Sequence, residues 1–299
     1  MVEIVKNQVR ILLTGGTGQF GKSFLNQPSS HVVYAPDRNE LNLANKDKVL
    51  ESLKSFMPEV VINSGAWTDV PGAELNPAKV YETNVIGVEA LLMATSTVNA
   101  KFIQLSTDYV FDGESSEPYV ENSKKNPLSI YGKSKSEAED LILEKYLDNA
   151  YVIRTSWLYS KYGRNFVKTI LQKLLADREG ISVVNDQFGC PTLADDLVRG
   201  ISSFYQNDIE TGVYHFANSG STSWYLFARE IAISIGEDPD RIMPVKTEAT
   251  ESNVQRPFFS VLSTEKFQRA TGMKPPSWKN SLRDSITQIR MAIESEKRK

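Results

Sequence analysis

Tyr131 and Lys135 stand one helical turn apart in the segment Tyr131-Gly132-Lys133-Ser134-Lys135, within a stretch after Pro127 that reads as a helix. A phenol ordinarily titrates at a pKa of about 10, so it exchanges a proton near neutrality only where nearby positive charge favours its phenolate. Lys135 is spaced to supply that charge. Tyr-x-x-x-Lys alone describes a solvated helix face equally well, so two upstream segments carry the weight. The run Leu105-Ser106-Thr107-Asp108 closes an apolar strand, and Thr107 at its end can donate a hydrogen bond to a substrate oxygen that gains charge, or else cap a turn. Further upstream, Gly15, Gly18 and Gly21 form Gly-x-x-Gly-x-x-Gly between an apolar strand and a helix. Missing side chains there let the backbone approach a pyrophosphate, and the helix beyond presents free N–H groups to it.

Asp37 and Arg38 lie just past the second strand, within reach of an adenosine ribose. An aspartate there favours a free 2′-hydroxyl and hence NAD, whereas an arginine accommodates the 2′-phosphate of NADP. Both readings stay open, and the expected cofactor is NADH or NADPH.

The elements that must hold these residues follow from the apolar runs. VRILLT, GGTGQFG, KSFLNQ and HVVYA form one βαβ unit over residues 9–35. The alternation continues through a helix (NKDKVLESLKSFM), a strand (EVVINSGA), a long helix (PAKVYETNVIGVEALLMATSTV), a strand (KFIQLST), the helix carrying Tyr131, and a strand (YVIRTSWLY). Apolar strands separated by helices imply an α/β, Rossmann-like doubly wound parallel sheet. Beyond about residue 158, breaks at GCPT, EDPD, QRPF and MKPP and amphipathic helices such as WYLFAREIAISIG predict a smaller α+β lobe over the sheet's carboxyl edge. The expected division is a dinucleotide-binding domain of residues 9–157 plus 192–216 and a substrate lobe of 158–191 plus 217–299. Asn84, inside the long helix, is either a brace for the sheet or an exposed amide, and is not counted with the site.

Composition removes several classes of function. Lys+Arg 34 against Asp+Glu 37 gives a net charge of -3, with no broad positive field for a nucleic-acid backbone or an anionic membrane. One cysteine, Cys190, excludes an intramolecular disulfide, and two distant histidines, His31 and His215, offer no zinc-ligand set, so no metal site is expected. A magnesium requirement has no support in the sequence. No apolar run approaches the roughly 20 residues of a membrane span, and MVEIVKNQ lacks the apolar core of a signal peptide. These features together read as a cytosolic enzyme. The tail EKRK reads as a solvated end, and a homodimer is expected only because that assembly is the commonest.

Taken together, the motifs resemble the extended short-chain dehydrogenase/reductases and, within them, the dTDP-4-dehydrorhamnose reductase family. The resemblance is carried by GGTGQFG at 15–21, PEVVINSGAWTDV at 58–70, STDYVFDG at 106–113, YGKSKSEAE at 131–139, RTSWLY at 154–159, NDQFGCPT at 185–192 and RPFFSVLSTEKF at 256–267, nearly the whole chain. STDYVFDG and DQFGCPT are far more specific than the glycine turn or the Tyr/Lys pair. The resemblance implies that Tyr131 is the catalytic acid, that Lys135 holds the nicotinamide ribose, and that Thr107 polarises a C4 carbonyl. It places Gly18, Gln19 and Phe20 along the pyrophosphate, Asp37 at the adenosine ribose, Asn42 and Leu43 over the adenine, and Ala66, Trp67 and Thr68 on the cofactor side of the sheet edge. Thr107, Asp108 and Trp157 would meet the sugar of a dTDP-linked substrate, with Gln187 and Arg256 near its diphosphate. The implied reaction is reduction of dTDP-4-dehydro-6-deoxy-L-mannose to dTDP-L-rhamnose. The sequence departs from the family pattern at Thr68-Asp69-Val70-Pro71-Gly72-Ala73-Glu74, which lacks an acidic and a basic residue usual there, and at Asn42, where Asp is common. Two rival readings remain. A sugar-nucleotide epimerase or 4,6-dehydratase would share the turn and the Tyr/Lys pair, but dehydratases carry Asp-Glu after the threonine and Tyr109 stands here. A non-catalytic dinucleotide-binding regulatory subunit would keep the fold alone.

Overall fold

The apolar runs form a six-stranded sheet in the order β10-β5-β4-β3-β1-β2, every neighbouring pair parallel. The computed structural model describes residues 8–176, 179–249 and 254–296. Residues 1–7 and 297–299, on which the readings of the N-terminus and most of the basic tail rest, lie outside these.

In chain order the first half consists of β1 (Arg10–Thr14), α1 (Gln19–Leu25), β2 (Val32–Tyr34), α2 (Lys46–Phe56), β3 (Val60–Asn63), α3 (Val70–Leu75), α4 (Pro77–Tyr81), α5 (Gly87–Thr97), β4 (Lys101–Thr107), α6 (Ile130–Tyr146) and β5 (Ala150–Thr155). The second half holds β6 (Leu158–Tyr159), α7 (Phe166–Ala176), β7 (Ile181–Val184), β8 (Phe188–Gly189), β9 (Thr192–Leu193), α8 (Ala194–Gln206), β10 (Gly212–His215), β11 (Thr222–Ser223), α9 (Trp224–Ser234), β12 (Ile242–Val245), α10 (Glu265–Thr271) and α11 (Trp278–Glu296). A sheet with crossover helices on both faces has an apolar layer on each. Ile11, Leu13, Ile62, Ile103 and Ile153 pack with α1 and α8 on one face, and Leu12, Val61, Phe102 and Val152 pack with α2, α5 and α6 on the other. A third core joins α7, α9 and α11 around Leu171, Phe227, Trp278 and Ile289.

Three expectations change. The apolar run YVIRTSWLY is not one strand: β5 stops at Thr155, Trp157 adopts φ +46, and Leu158–Tyr159 pair with β9 instead. The long helix of 77–98 is broken by one π turn, Glu82–Ile86. Assigning all of 217–299 to the second lobe goes too far, because Phe267 of α10 packs edge-on against Phe216 and beside Phe204 in the sheet's own core.

Candidate active site

Because β1 and β4 both end at the carboxyl edge of the sheet, the loops that follow them open onto one cavity of about 1040 Å³. The sheet order reverses direction between β1 and β3, the place where ligands bind in open α/β sheets. Gly15 sits at φ +70, and a Cβ there would lie 2.7 Å from the backbone of Ser64 and Gly65, so only glycine closes the turn against the loop after β3. A Cβ on Gly21 would collide with the Gly15 carbonyl, whereas Gly18 meets nothing but that same oxygen at 3.2 Å. The turn is thus packed tightly from behind and open at Gly18, the N-cap of α1, which carries no side-chain cap. That cradle fits a dinucleotide pyrophosphate.

Gly15, Gly18, Gln19, Phe20, Asp37, Arg38, Asn42, Leu43, Ala66, Thr68, Thr107, Asp108, Tyr131, Lys135 and Trp157 all line this cavity. Several also have structural duties. The Gln19 amide bridges to Ser160 and Asn165, Phe20 is 3% exposed and packs on Phe24, and one Asp37 oxygen accepts from the Asn39 and Glu40 N–H groups at 2.7 and 3.0 Å. Four expected residues do not reach the cavity, the first being Gly21, which packs behind the turn against Gly15 and Gly16. Trp67 turns its indole N–H to the Asp69 carbonyl at 3.0 Å, and both its backbone polar groups are bound by Asn84. Gln187 is buried and donates to Thr247 at 3.1 Å. Arg256 lies behind Tyr109, close enough to favour that phenolate, and its Nε is buried without a hydrogen-bond partner among the described residues.

The Tyr131 helix begins where Ser129 accepts from the Gly132 N–H at 3.1 Å and where Glu74 accepts from the Ile130 N–H at 2.8 Å. Thus the departing segment at 68–74 builds α3 and reaches the start of α6 through its retained glutamate. The Thr107 hydroxyl donates to Asp108 Oδ1 at 3.1 Å, accepts from the Tyr109 N–H at 3.2 Å and lies within hydrogen-bond reach of the Tyr131 phenol. It is therefore a turn cap and a cavity residue at once.

The electrostatics correct one expectation. Burial pushes the Tyr131 phenol up, the Thr107 hydrogen bond opposes this, and the charges of Asp108 and Tyr109 add to the rise. Lys135 does not acidify it; its ammonium donates to the Leu105 carbonyl at 2.6 Å, and burial lowers it to about 8 against the pull of Glu139. The phenol is held protonated. Asp108, 2% exposed, is pushed up to about 6 by burial despite hydrogen bonds from Ser260 at 2.6 Å and Thr107.

Linear reading missed Arg164, Thr83 and Trp224, all of which line the cavity. Trp224 stacks on Trp157 with ring centroids 3.5 Å apart and planes at 7°. Nothing local marks them, since Trp157 and Trp224, 67 positions apart in the chain, meet only in the folded structure. Asn84 had a signal, an amide in an apolar run. It is fully buried in the π turn, accepting from the Trp67 N–H at 2.7 Å and donating to Ser134 at 3.0 Å.

A parallel sheet with a glycine turn at its switch point, and a threonine, tyrosine and lysine across one cavity from it, define a dinucleotide-binding oxidoreductase architecture of the extended short-chain type. Residues 9–291 match the family described as the RmlD substrate binding domain, and the chain belongs to that family of dTDP-4-dehydrorhamnose reductases. It is 36% identical over 288 residues to a dTDP-4-dehydrorhamnose reductase of Aggregatibacter actinomycetemcomitans, covering 92% of this chain and 97% of the relative. It is likewise 36% identical to the spore coat polysaccharide biosynthesis protein SpsK of Bacillus subtilis, covering 93% of this chain and 96% of that one. Among solved structures, the dTDP-4-dehydrorhamnose reductase of Bacillus anthracis in complex with NADP superposes with a TM-score of 0.89 at 33% identity, over 94% of this chain and 100% of that chain.

Proposed function

We propose that this chain is an NAD(P)H-dependent nucleotide-sugar reductase that converts dTDP-4-dehydro-6-deoxy-L-mannose to dTDP-L-rhamnose for cell-surface polysaccharide synthesis. The observation that carries the reading is the convergence of Thr107, Tyr131 and Lys135 on the cavity that holds the glycine turn, in a chain whose relatives bear that activity in their names. When bound, reduced nicotinamide supplies the hydride that adds to C4 of the sugar. Tyr131 is the acid: its O–H bond breaks as the former carbonyl oxygen takes the proton, and a phenol kept protonated by burial is the form a reduction needs. Thr107 steadies the charge that develops on that oxygen. Lys135 holds the nicotinamide ribose. Gly18, Gln19 and Phe20 border the pyrophosphate, Asp37 and Arg38 the adenosine ribose, and Asp108 and Trp157 the sugar.

Tyr109 stands where a dehydratase carries glutamate, and burial pushes its phenol up to about 12, so it offers no base near neutrality. Purified protein given the keto sugar should consume reduced dinucleotide stoichiometrically, whereas an epimerase or dehydratase returns its hydride. Tyr131→Phe should lower kcat by roughly a thousandfold with dinucleotide affinity nearly unchanged; turnover at the wild-type rate in that variant would refute the assignment. Arg38→Ala should weaken NADPH binding and spare NADH if the guanidinium meets the 2′-phosphate. The homodimer rests on frequency alone, and sedimentation measures it.

A further inference from the structure

Tyr131, Lys135 and Glu139 are successive residues of one stripe along α6, each a helical turn from the next. All three are tied to consecutive residues at the end of β4. The Tyr131 phenol lies within hydrogen-bond reach of Thr107, Lys135 Nζ donates to the Leu105 carbonyl at 2.6 Å, and Glu139 Oε1 accepts from Ser106 Oγ at 2.5 Å. Glu139 is fully buried, where a charge is unfavourable unless it is met by partners. From β5, Arg154 Nη2 and Nε donate to Oε2 at 2.7 and 3.2 Å, and Lys125 Nζ, ahead of α6, stands 3.4 Å away. Behind Arg154, His215 of β10 is depressed to about 3 by burial and the guanidinium, so it is neutral, and its backbone N–H donates to Glu121 at 3.1 Å. Lys125 also pairs with Asp140 at 2.6 Å. The proposed reduction uses none of these groups beyond Thr107, Tyr131 and Lys135.

We infer that Glu139 is a positioning residue of the reductase site: its carboxylate supplies the negative field in which the Lys135 ammonium sits and locks the Tyr131–Lys135–Glu139 stripe in register on β4. The inference rests on the proposed reductase function. Lys135 faces Tyr131 and Glu139 on its own helix and the Leu105 carbonyl on β4, so Glu139 is the anion that favours its charged form. Arg154 and Lys125 temper that field from β5 and from the loop.

The test measures dinucleotide affinity by nicotinamide fluorescence, and kcat/KM, from neutral to alkaline pH in wild type, Glu139→Gln, Arg154→Gln and Lys125→Gln. Removing the carboxylate should move the alkaline limb to lower pH by about one unit. Removing either cation should move it to higher pH, because the Glu139 charge that favours the Lys135 ammonium is then less opposed. A purely structural Glu139 would lower thermal stability and leave every limb in place, and unmoved limbs, or shifts of one sign in all variants, would overturn the inference. Lys125 is partly exposed, so its variant decides the direction even if the buried pair cannot be altered without unfolding. Affinity reports on Lys135 whether or not the keto sugar turns over, which separates a failure here from a failure of the substrate reading.

Discussion

Asp108 carries a charge where charge is expensive. Its carboxylate lies against Tyr131 and Tyr109, receives hydrogen bonds from Ser260 and Thr107, and still titrates at about 6 rather than at its ordinary value of 3.8. A folded-state pKa raised above the unfolded one means the ionised side chain opposes folding. That cost is complete above pH 6 and disappears as pH falls through the window down to 3.8. Asp108→Asn should therefore stabilise the protein by about 2 kcal/mol at neutral pH, with the gain vanishing in acid and activity reduced; urea titrations at neutral and acid pH check it, and equal effects at both would remove the argument. Trp157 poses a second case at this scale. It holds φ +46, a conformation that costs about 1–3 kcal/mol outside glycine, and stacks on Trp224. Its indole is so close to Gly189 that a Cβ there would lie 2.5 Å from Cε2. Gly189→Ala should push the indole into the cavity, raising KM for the sugar about tenfold while dinucleotide affinity holds. Unaltered tryptophan fluorescence and KM would show that the contact is idle.

Among the elements, the join between the loop after β3 and helix α6 matters most, because it sets where Tyr131 points. One buried amide makes it: Asn84, in the π turn, takes up the Trp67 N–H and carbonyl and reaches Ser134 of α6. Asn84→Ala would leave the part-buried Trp67 N–H and carbonyl without this partner, an expected loss of about 1–3 kcal/mol by denaturant unfolding together with a fall in kcat. A loss below about 0.5 kcal/mol would mean water replaces the amide. α3 supplies the companion contact through Glu74 and the Ile130 N–H, an anion at the N-terminus of a 17-residue helix.

For the molecule as a whole, Asp196 links the core around α8 to the core around α11. It sits on α8, which packs on the sheet, yet its Oδ2 accepts from Ser281 of α11 at 2.5 Å and from Asn218 at 2.6 Å, while Arg199 pairs with Oδ1. Gln19 makes a second link, from the glycine turn to Ser160 and Asn165 ahead of α7. With buried polar groups shared across the cores, unfolding should be one cooperative transition. Asp196→Ala should lower stability by about 3–5 kcal/mol and raise hydrogen exchange in α11 and α8 together. Exchange confined to one lobe would show that the cores are independent.

The order of apolar runs, the glycine turn and the Tyr131–Lys135 spacing were legible in the sequence because each is local: strand and helix periodicity, and i to i+4 proximity, require no knowledge of distant residues. So the parallel sheet was foreseen, and the residues singled out by spacing, Gly15, Gly18, Thr107, Tyr131 and Lys135, line one cavity. Tertiary structure decided the rest. It sent Trp67, Gln187 and Arg256 away from the cavity and brought Arg164 and Trp224 into it. It also split RTSWLY between two sheets at a single left-handed residue. Above all, it fixed the electrostatics. Whether a neighbouring lysine acidifies a phenol depends on how deeply both are buried and on what else they bind. Here burial raises the phenol while the ammonium turns to the Leu105 carbonyl, and Tyr131 stays protonated. Desolvation is a property of the assembled interior, and no spacing along the chain encodes it.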